Sequence, residues 1–270
     1  MLRGIMAAAT TRWGGPANTI AAEFLKRELR SRFLGSFSGG LWAILAPLIQ
    51  LGVYSFVFTR VFAVRLPEAG GSGYVPFLAV ALWPWIAFSE SVLRSTTVIE
   101  DNAALIGKVA LPRVLLVGTR VAASFLIHAA GFVTIVVLLA LAGQGIRLGG
   151  LLPALALFLP LFALALGCAL LAAAVQVFVR DLVQVLAQVL MLLMYAAPIF
   201  YDRTLVPPRF REWLGWNPFT FYAESIRSLL LDRGGFSVAG LTVAIGVALA
   251  VLAVGFAVFR RLDPHFEDFL

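Results

Sequence analysis

Six long runs without Asp, Glu, Lys or Arg restrict what this chain can fold into. They are Phe33–Thr59, Ala69–Ser89, Val121–Ile146, Leu148–Val179, Leu182–Tyr201 and Phe236–Phe259. A helix that crosses a bilayer needs about 20 predominantly apolar residues, so each run is long enough to cross once. The longest run is too short for two crossings and a turn. We therefore predict an all-α integral membrane protein with six transmembrane helices, in one domain spanning residues 1–270.

The composition indicates the same class of protein. Hydrophobic residues occupy 61% of the 270 positions and charged residues 13%, against about 45–50% and about 25% in soluble domains. A water-soluble fold could not cover so much apolar area. The net charge of +7 comes from basic residues at the ends of the apolar runs, where the anionic inner leaflet favours them. Nucleic acid is therefore not an expected partner.

Basic residues in the short flanks indicate the orientation of the chain. The amino-terminal tail has Arg3, Arg12, Lys26, Arg27, Arg30 and Arg32, and the carboxyl end has Arg260 and Arg261. The Gly143–Gly150 loop has one basic residue. We expect both termini in the cytoplasm, as an even number of spans requires. The five arginines of Asp202–Gly235, which would then lie outside, do not follow this rule.

The segment Asn18–Leu34 has the pattern of an amphipathic helix. One side carries Ile20, Ala21, Phe24, Leu25, Leu29 and Phe33, and the other carries Lys26, Arg27 and Arg30. Glu23 and Arg27 stand four residues apart, as do Glu28 and Arg32, which predicts ion pairs along the helix. A basic amphipathic helix just before a span is expected to lie flat in the membrane interface.

The segment Asp202–Gly235 is neither a span nor a simple loop. Pro207-Pro208 and Asn217-Pro218 divide it into short pieces. It is also rich in aromatic residues, namely Trp213, Trp216, Phe219, Phe221 and Tyr222. We predict short periplasmic helices that re-enter the outer membrane surface before the last span.

Three charged residues lie close to the apolar runs. Glu90 and Arg94 are four apart on the second span, so they share a helical face and are predicted to pair. Arg120 precedes the third run and can reach the cytoplasmic surface. Charge inside a membrane suggests a functional site, but the positions of these residues near a cytoplasmic end favour a structural role.

The chain lacks the motifs of an energy-converting enzyme. It has no Gly-x-x-x-x-Gly-Lys-Ser/Thr phosphate loop, because Val109 follows Gly107-Lys108. His128 and His265 are far apart and no cysteine cluster accompanies them, so no metal site is predicted. Mid-span acids that could couple transport to an ion gradient are missing as well. These features favour transport that is powered from outside the chain, or a passive channel.

An intramembrane hydrolase is an alternative from another class. Ser124 and His128 are four apart and could bring a hydroxyl near an imidazole. Such an enzyme also needs an oxyanion hole and usually an orienting acid, and the sequence indicates neither. A polar pair in helix packing or in a pore is the favoured interpretation.

Several stretches resemble one family, the permease subunits of ABC exporters for lipid-linked polysaccharides such as O-antigen, with the related teichoic acid exporters. They are Glu28–Pro47, Glu100–Arg113, Arg180-Asp181, Pro198, Asn217-Pro218, Arg227 and Pro264–Leu270. Ser38-Gly39 replaces the family's usual Leu-Gly. The resemblance covers roughly residues 20–270 and depends on the order and spacing of short motifs.

The resemblance implies an assembly and a site. Two permeases would pair with two separate ATPase subunits that carry ATP and Mg, and would move a lipid-linked glycan across the bacterial inner membrane. Residues 18–34 would be the interfacial helix, 99–113 a cytoplasmic coupling segment, and 202–235 a periplasmic gate that includes Asn217, Pro218 and Arg227. An exporter of a drug or lipid remains an alternative.

The coupling segment mixes polar and apolar residues. Its candidate ATPase-coupling residues are Glu100, Asp101, Asn102, Leu105, Ile106, Lys108, Pro112 and Arg113. Asn102 can cap a helical turn, Leu105 and Ile106 can fill a groove on a partner, and Lys108 can meet an acidic rim. A plain interhelical loop is the alternative.

Aromatic side chains are candidates for the wall of a glycan channel, because they offer flat contact area at little entropic cost. The candidate residues are Tyr54, Phe58, Trp83, Trp85 and Tyr195. Interfacial aromatic belts and lipid-facing side chains are the alternative explanation.

Overall fold

The computed structural model describes residues 16–33, 39–62, 73–106 and 112–269. Within these ranges the chain forms helices and turns and no strand. The α-helices are α1 (Pro16–Phe33), α2 (Gly39–Phe56), α3 (Tyr74–Thr96), α4 (Val98–Asp101), α5 (Ala103–Ile106), α6 (Arg113–Leu141), α7 (Leu151–Ala156), α8 (Phe158–Gln176), α9 (Leu182–Ala196), α10 (Pro208–Leu214), α11 (Pro218–Leu231) and α12 (Val238–Leu262). A π-helical turn, Val57–Val61, extends α2, and 3-10 turns occupy Leu148–Gly150, Arg203–Leu205 and Asp263–Asp268.

Four helical stretches of the described chain are long and apolar enough to cross a membrane. They are α3, α6, Leu148–Gln176 (which contains α7 and α8) and Val238–Asp268 (which contains α12). Leu45–Val61 and α9 are apolar but shorter. The all-α class is thus confirmed, and the six predicted runs correspond to four helical stretches long enough to cross a membrane and two shorter apolar helices.

The central helix of the bundle is α3. Its sequence is apolar on all sides over most of its length, as expected for a helix surrounded by others. Leu78, Val80, Ala81 and Ala87 have no exposed surface. Helices α6, α8 and α11 all pack against it, and α6 and α8 also contact each other. The charged end of α3, which follows Ser89, continues into the short helix α4.

Helices α8 and α12 approach each other through glycine. A Cβ atom added to Gly255 would overlap the carbonyl oxygen of Gly167, and one added to Gly167 would lie 2.6 Å from the backbone nitrogen of Leu252. Small residues allow this close backbone packing, which is typical of membrane helices. The last span is therefore held mainly by α8.

The segment 202–235 folds as the short helices that the sequence predicts, with the Arg203–Leu205 turn followed by α10 and α11. Helix α11 begins after Asn217, whose side-chain oxygen accepts a hydrogen bond of 2.9 Å from the Phe219 N–H, with Pro218 in the first turn. Its apolar face, which includes Tyr222 and Ile226, is fully buried. Local capping and burial together fix the 202–235 segment against the bundle.

Candidate functional site

The coupling segment consists of α4, α5 and the start of α6. Lys108 lies outside the described residues, while Pro112 directly precedes α6 and Arg113 is its first residue. Asp101 is exposed, Leu105 is half-buried and Ile106 is buried. Ile106 therefore belongs to the chain's own core and cannot fill a groove on a partner as the sequence suggested. Leu105 remains available for that contact.

Asn102 does not act as the predicted helix cap. Its side-chain Nδ2 donates to the Val98 carbonyl at 2.8 Å, and its Oδ1 accepts from Arg27 Nη2 at 2.7 Å. The N–H groups of Leu105 and Ile106 donate to its backbone carbonyl instead. Because Arg27 lies on α1, this amide connects the interfacial helix to the coupling segment.

A second connection passes through Arg120 on α6. Arg120 Nη1 lies 2.6 Å from Asp101 Oδ2 and donates to the Arg94 carbonyl at 3.1 Å. Arg120 Nε lies 3.3 Å from Glu28 Oε1, and Arg94 Nη2 lies 3.5 Å from the same oxygen. Glu28 is thus shared by two guanidinium groups, and the predicted pairing of Glu28 with Arg32 along α1 is replaced by contacts between helices.

A deeper cluster contains Glu90, His128 and Arg32. Arg32 Nη1 lies 3.1 Å from Glu90 Oε1, and His128 Nε2 lies 2.8 Å from Glu90 Oε2. The predicted ion pair between Glu90 and Arg94 is therefore wrong. Arg32 on α1 pairs with Glu90, and Arg94 pairs with Glu28 instead. Burial lowers the pKa of Arg32, and the negative charge of Glu90 opposes that shift.

The deeper cluster lacks the geometry of a hydrolase. Glu90 is an acid that sequence reasoning missed, but it contacts the Nε2 atom of His128, the atom that would have to face the serine. The hydroxyl of Ser124 accepts a hydrogen bond from Arg32, and the Nδ1 atom of His128 is buried without a partner. The Ser124 hydroxyl and the His128 imidazole therefore have different partners and do not form a nucleophile–base pair.

Arg113 faces the carboxyl-terminal 3-10 turn. Its guanidinium group lies 3.0 Å from Asp263 Oδ1 and also pairs with Glu267. Phe266 anchors this turn, since it is fully buried and packs edge-on against Phe259. Arg113 therefore positions the tail next to the coupling segment.

Gln176 at the end of α8 joins the coupling segment to the next loop. Its Nε2 lies 3.4 Å from Glu100 Oε2 and donates to the Arg180 carbonyl at 2.9 Å. Its Oε1 accepts from the Val183 N–H at 3.0 Å. This glutamine is buried, and no motif in the sequence indicated its role.

The basic face of α1 is open. Lys26, Arg27 and Arg30 are exposed and, with the half-buried Phe24, border a depression of about 520 Å³. The guanidinium carbon of Arg27 lies 4.6 Å from the centroid of the Phe24 ring. These predicted interfacial residues are thus placed where a headgroup or a partner can reach them.

Three of the predicted channel aromatics surround Phe200. Tyr54 contacts it edge-on with a centroid distance of 4.9 Å, and Phe58 and Tyr195 stack on it, each at 5.3 Å. Trp83 does not belong to this group. It is 2% exposed and packs on Gly131 inside the bundle, so it cannot line a channel in this conformation.

A groove of about 310 Å³ lies between α2, α3 and α9. Gln50, Glu90 and Met191 are among its lining residues. Trp85 borders the same groove but is 3% exposed, since Phe219 contacts it edge-on, so its face is not available as a channel wall. Glu90 thus belongs both to the deeper charge cluster and to this groove.

Arg227 lies buried in the 202–235 segment. It donates to the backbone carbonyls of Phe77, Pro198 and Ile199. Burial lowers the pKa of Arg227. Burial raises the pKa of Glu224, and the positive charge of the nearby Arg203 opposes that rise. Asn217 Nδ2 also contacts α9, since it donates to the Leu193 carbonyl at 3.2 Å. Arg227 and Asn217 therefore connect the 202–235 segment to α3 and to the end of α9.

Known proteins resemble this chain along most of its length. The sequence model of the ABC-2 type transporter family matches residues 22–231. The "O-antigen export system permease protein RfbA" of Klebsiella pneumoniae is 26% identical over 246 residues, covering 90% of this chain and 92% of the relative. A protein of the same name from Myxococcus xanthus is 28% identical, with the same coverage. The "Polysialic acid transport protein KpsM" of Escherichia coli is 27% identical over 250 residues, covering 91% and 93%.

Proposed function

This chain belongs to the ABC-2 type transporter family, and from that premise we propose that it is the membrane permease subunit of an ATP-driven polysaccharide exporter. The similarity to O-antigen and polysialic acid transport proteins over nine-tenths of the chain is the observation that carries the proposal. The cargo is a lipid-linked polysaccharide, and the location is a bacterial inner membrane. An exporter of a drug or free lipid is disfavoured because the named relatives transport polysaccharides.

The energy source is a separate ATPase subunit that carries ATP and Mg. The sequence has no phosphate loop of its own. The exposed carboxylate of Asp101 and the half-buried side chain of Leu105 give the coupling segment a surface that a partner can contact. Arg113 and Gln176 hold the neighbouring carboxyl-terminal turn and loop in place beside that surface.

Two copies of the permease, each with six spans and cytoplasmic termini, enclose the transport path. Support comes from the apolar surface of α9, on which Val185, Val189, Leu192 and Tyr195 are exposed. An exposed apolar surface of this kind is covered by lipid or by a second subunit. The aromatic group around Phe200 lies beside this surface and provides weak, flat contacts for sugar rings.

The test is reconstitution of the permease with its ATP-binding partner in liposomes. Lipid-linked polysaccharide is loaded on the outer leaflet of vesicles whose ATPase subunits face outward, and glycan reaching the interior is quantified by protection from an added glycosidase. We expect protection that requires ATP hydrolysis and the permease. Equal protection with a hydrolysis-deficient ATPase, or transport by the permease alone, would refute the proposal.

A further inference from the structure

The structure points to Glu28 as a positioning residue that transmits movement of the coupling segment to the interfacial helix. It lies on the inward face of α1 together with Leu25 and Arg32, and it is 8% exposed. This inference rests on the proposed function, since it concerns how ATPase engagement reaches the transport path.

The first step is the position of the carboxylate between two cations. Glu28 Oε1 lies 3.5 Å from Arg94 Nη2 on α3 and 3.3 Å from Arg120 Nε on α6. Without the carboxylate, these two guanidinium groups would face each other across a partly buried gap. Like charges repel more strongly there than in water, so α1 would lose its position between the two spans.

The second step is the connection to the coupling segment. The Arg120 side chain that meets Glu28 also lies 2.6 Å from Asp101 at the end of α4. In parallel, Arg27 on α1 donates to Asn102, the next residue of the segment, at 2.7 Å. Two polar connections therefore join the same short stretch of the coupling segment to neighbouring residues of α1.

The third step is that the register of α1 depends on charge more than on apolar packing. Phe24 is the residue of α1 that packs against the main hydrophobic core of the described chain. Apolar contacts are non-directional and tolerate sliding, whereas the Arg27–Asn102 hydrogen bond requires a defined geometry. The ion pairs of Glu28 favour one position of α1 between Arg94 and Arg120. A displacement of the coupling segment is thus transferred to α1 through Glu28 and Arg27.

The final step links α1 to the groove. Arg32, one turn after Glu28, lies 3.1 Å from Glu90, which lines the inner part of the groove between α2, α3 and α9. Movement of α1 therefore changes the environment of Glu90. The chain of contacts runs from Asp101 through Arg120 and Glu28 to the groove.

The test uses Glu28→Gln in the reconstituted permease–ATPase complex. We expect assembly and ATP hydrolysis to persist while glycan exported per ATP falls about fivefold or more, in keeping with the size of coupling energies. Glu28→Asp should restore the ratio in part, and Glu23→Gln, an exposed carboxylate on the same helix, should leave it unchanged. A normal ratio in Glu28→Gln would overturn the inference, whereas absence of ATP-driven export in the wild-type complex would instead refute the proposed function.

If the Glu28→Gln permease does not assemble with the ATPase, a second experiment tests the connection between α1 and the coupling segment. Cys168 is the single cysteine of the chain, so Cys168→Ala gives a background for Arg27→Cys with Asn102→Cys. Loss of the Arg27–Asn102 hydrogen bond in this variant should lower export, and a short thiol cross-linker between the two cysteines should restore it, because the two elements then move as one unit. No recovery on cross-linking, or a further loss that is reversed when the linker is cleaved, would overturn the inference.

Discussion

The guanidinium carbon of Arg227 lies 3.4 Å from the centroid of the Phe77 ring, while its three nitrogens donate to backbone carbonyls of α3 and of the turn after α9. This single side chain joins three parts of the chain that are far apart in sequence. Arginine suits the position because its planar group can stack on a ring and donate in several directions at once.

Replacement of Arg227 by Gln should therefore destabilise the packing of the 202–235 segment. Buried carbonyls would lose their donor, and we expect a loss of about 3 kcal/mol in the free energy of unfolding. Thermal unfolding in detergent micelles measures the effect. Arg209→Gln is the matched control, since Arg209 is exposed and stacks on a ring of its own helix, Phe210. Equal melting temperatures for the two variants would contradict the structural role of Arg227.

The packing of α12 on α8 predicts a contrast between two glycines of the same helix. Gly255→Ala would place a methyl group against the backbone of Gly167 and should cost about 1–3 kcal/mol. Gly246→Ala has open space around it and should change stability little. The difference between the two melting temperatures tests the close approach directly. Unchanged stability of Gly255→Ala would mean that the helices are farther apart.

The coupling segment predicts different outcomes for two adjacent residues. Leu105→Asp should reduce co-purification of the ATPase subunit while the permease stays folded, because Leu105 is half-buried at the surface. Ile106→Asp should destabilise the permease itself by more than about 2 kcal/mol, because it places an unpaired charge in the core.

Both variants of the coupling segment are compared by size-exclusion chromatography and ATPase pull-down. Leu105→Asp that retains the ATPase at wild-type levels would exclude this residue from the contact. A stable Ile106→Asp permease would show that Ile106 is less buried than the structure indicates.

The aromatic group around Phe200 predicts a length-dependent export defect. Tyr195 stacks on Phe200 and is 49% exposed. Tyr195→Ala should lower export of long glycans more than of short ones, because long chains depend on repeated weak contacts. Phe256→Ala on α12, where the ring is 42% exposed, is the control for general loss of an exposed aromatic residue. Glycan length is read from gels of the exported product, and an unchanged length distribution would remove Tyr195 from the path.

The sequence was sufficient to predict the helices but not the contacts between them. The apolar runs predicted the long helices, since their lengths follow from the thickness of a bilayer. Pro207-Pro208 and Asn217-Pro218 predicted the division of residues 202–235 into short helices, because proline restricts the backbone of its immediate neighbours. The interfacial helix α1 was likewise predictable from its apolar spacing.

The partners of the charged residues were not predictable in the same way. Glu28 and Arg32 stand one turn apart and would pair on an isolated helix, yet each contacts a residue on a distant span. Trp83 shows the same limit, because its burial results from Gly131 on α6 rather than from any local pattern. Contacts of this kind depend on how helices are arranged, and a single sequence does not specify that arrangement.

The meeting of Gly167 and Gly255 makes α8 and α12 a closely packed pair of helices. Because their backbones are in direct contact there, a relative displacement would disturb close packing, and we expect the two helices to move together. Helices α2 and α9 have much of their surface exposed and lack such a seam within the described chain. If the proposed transport path widens, we therefore expect α2 and α9 to be displaced more than α8 and α12.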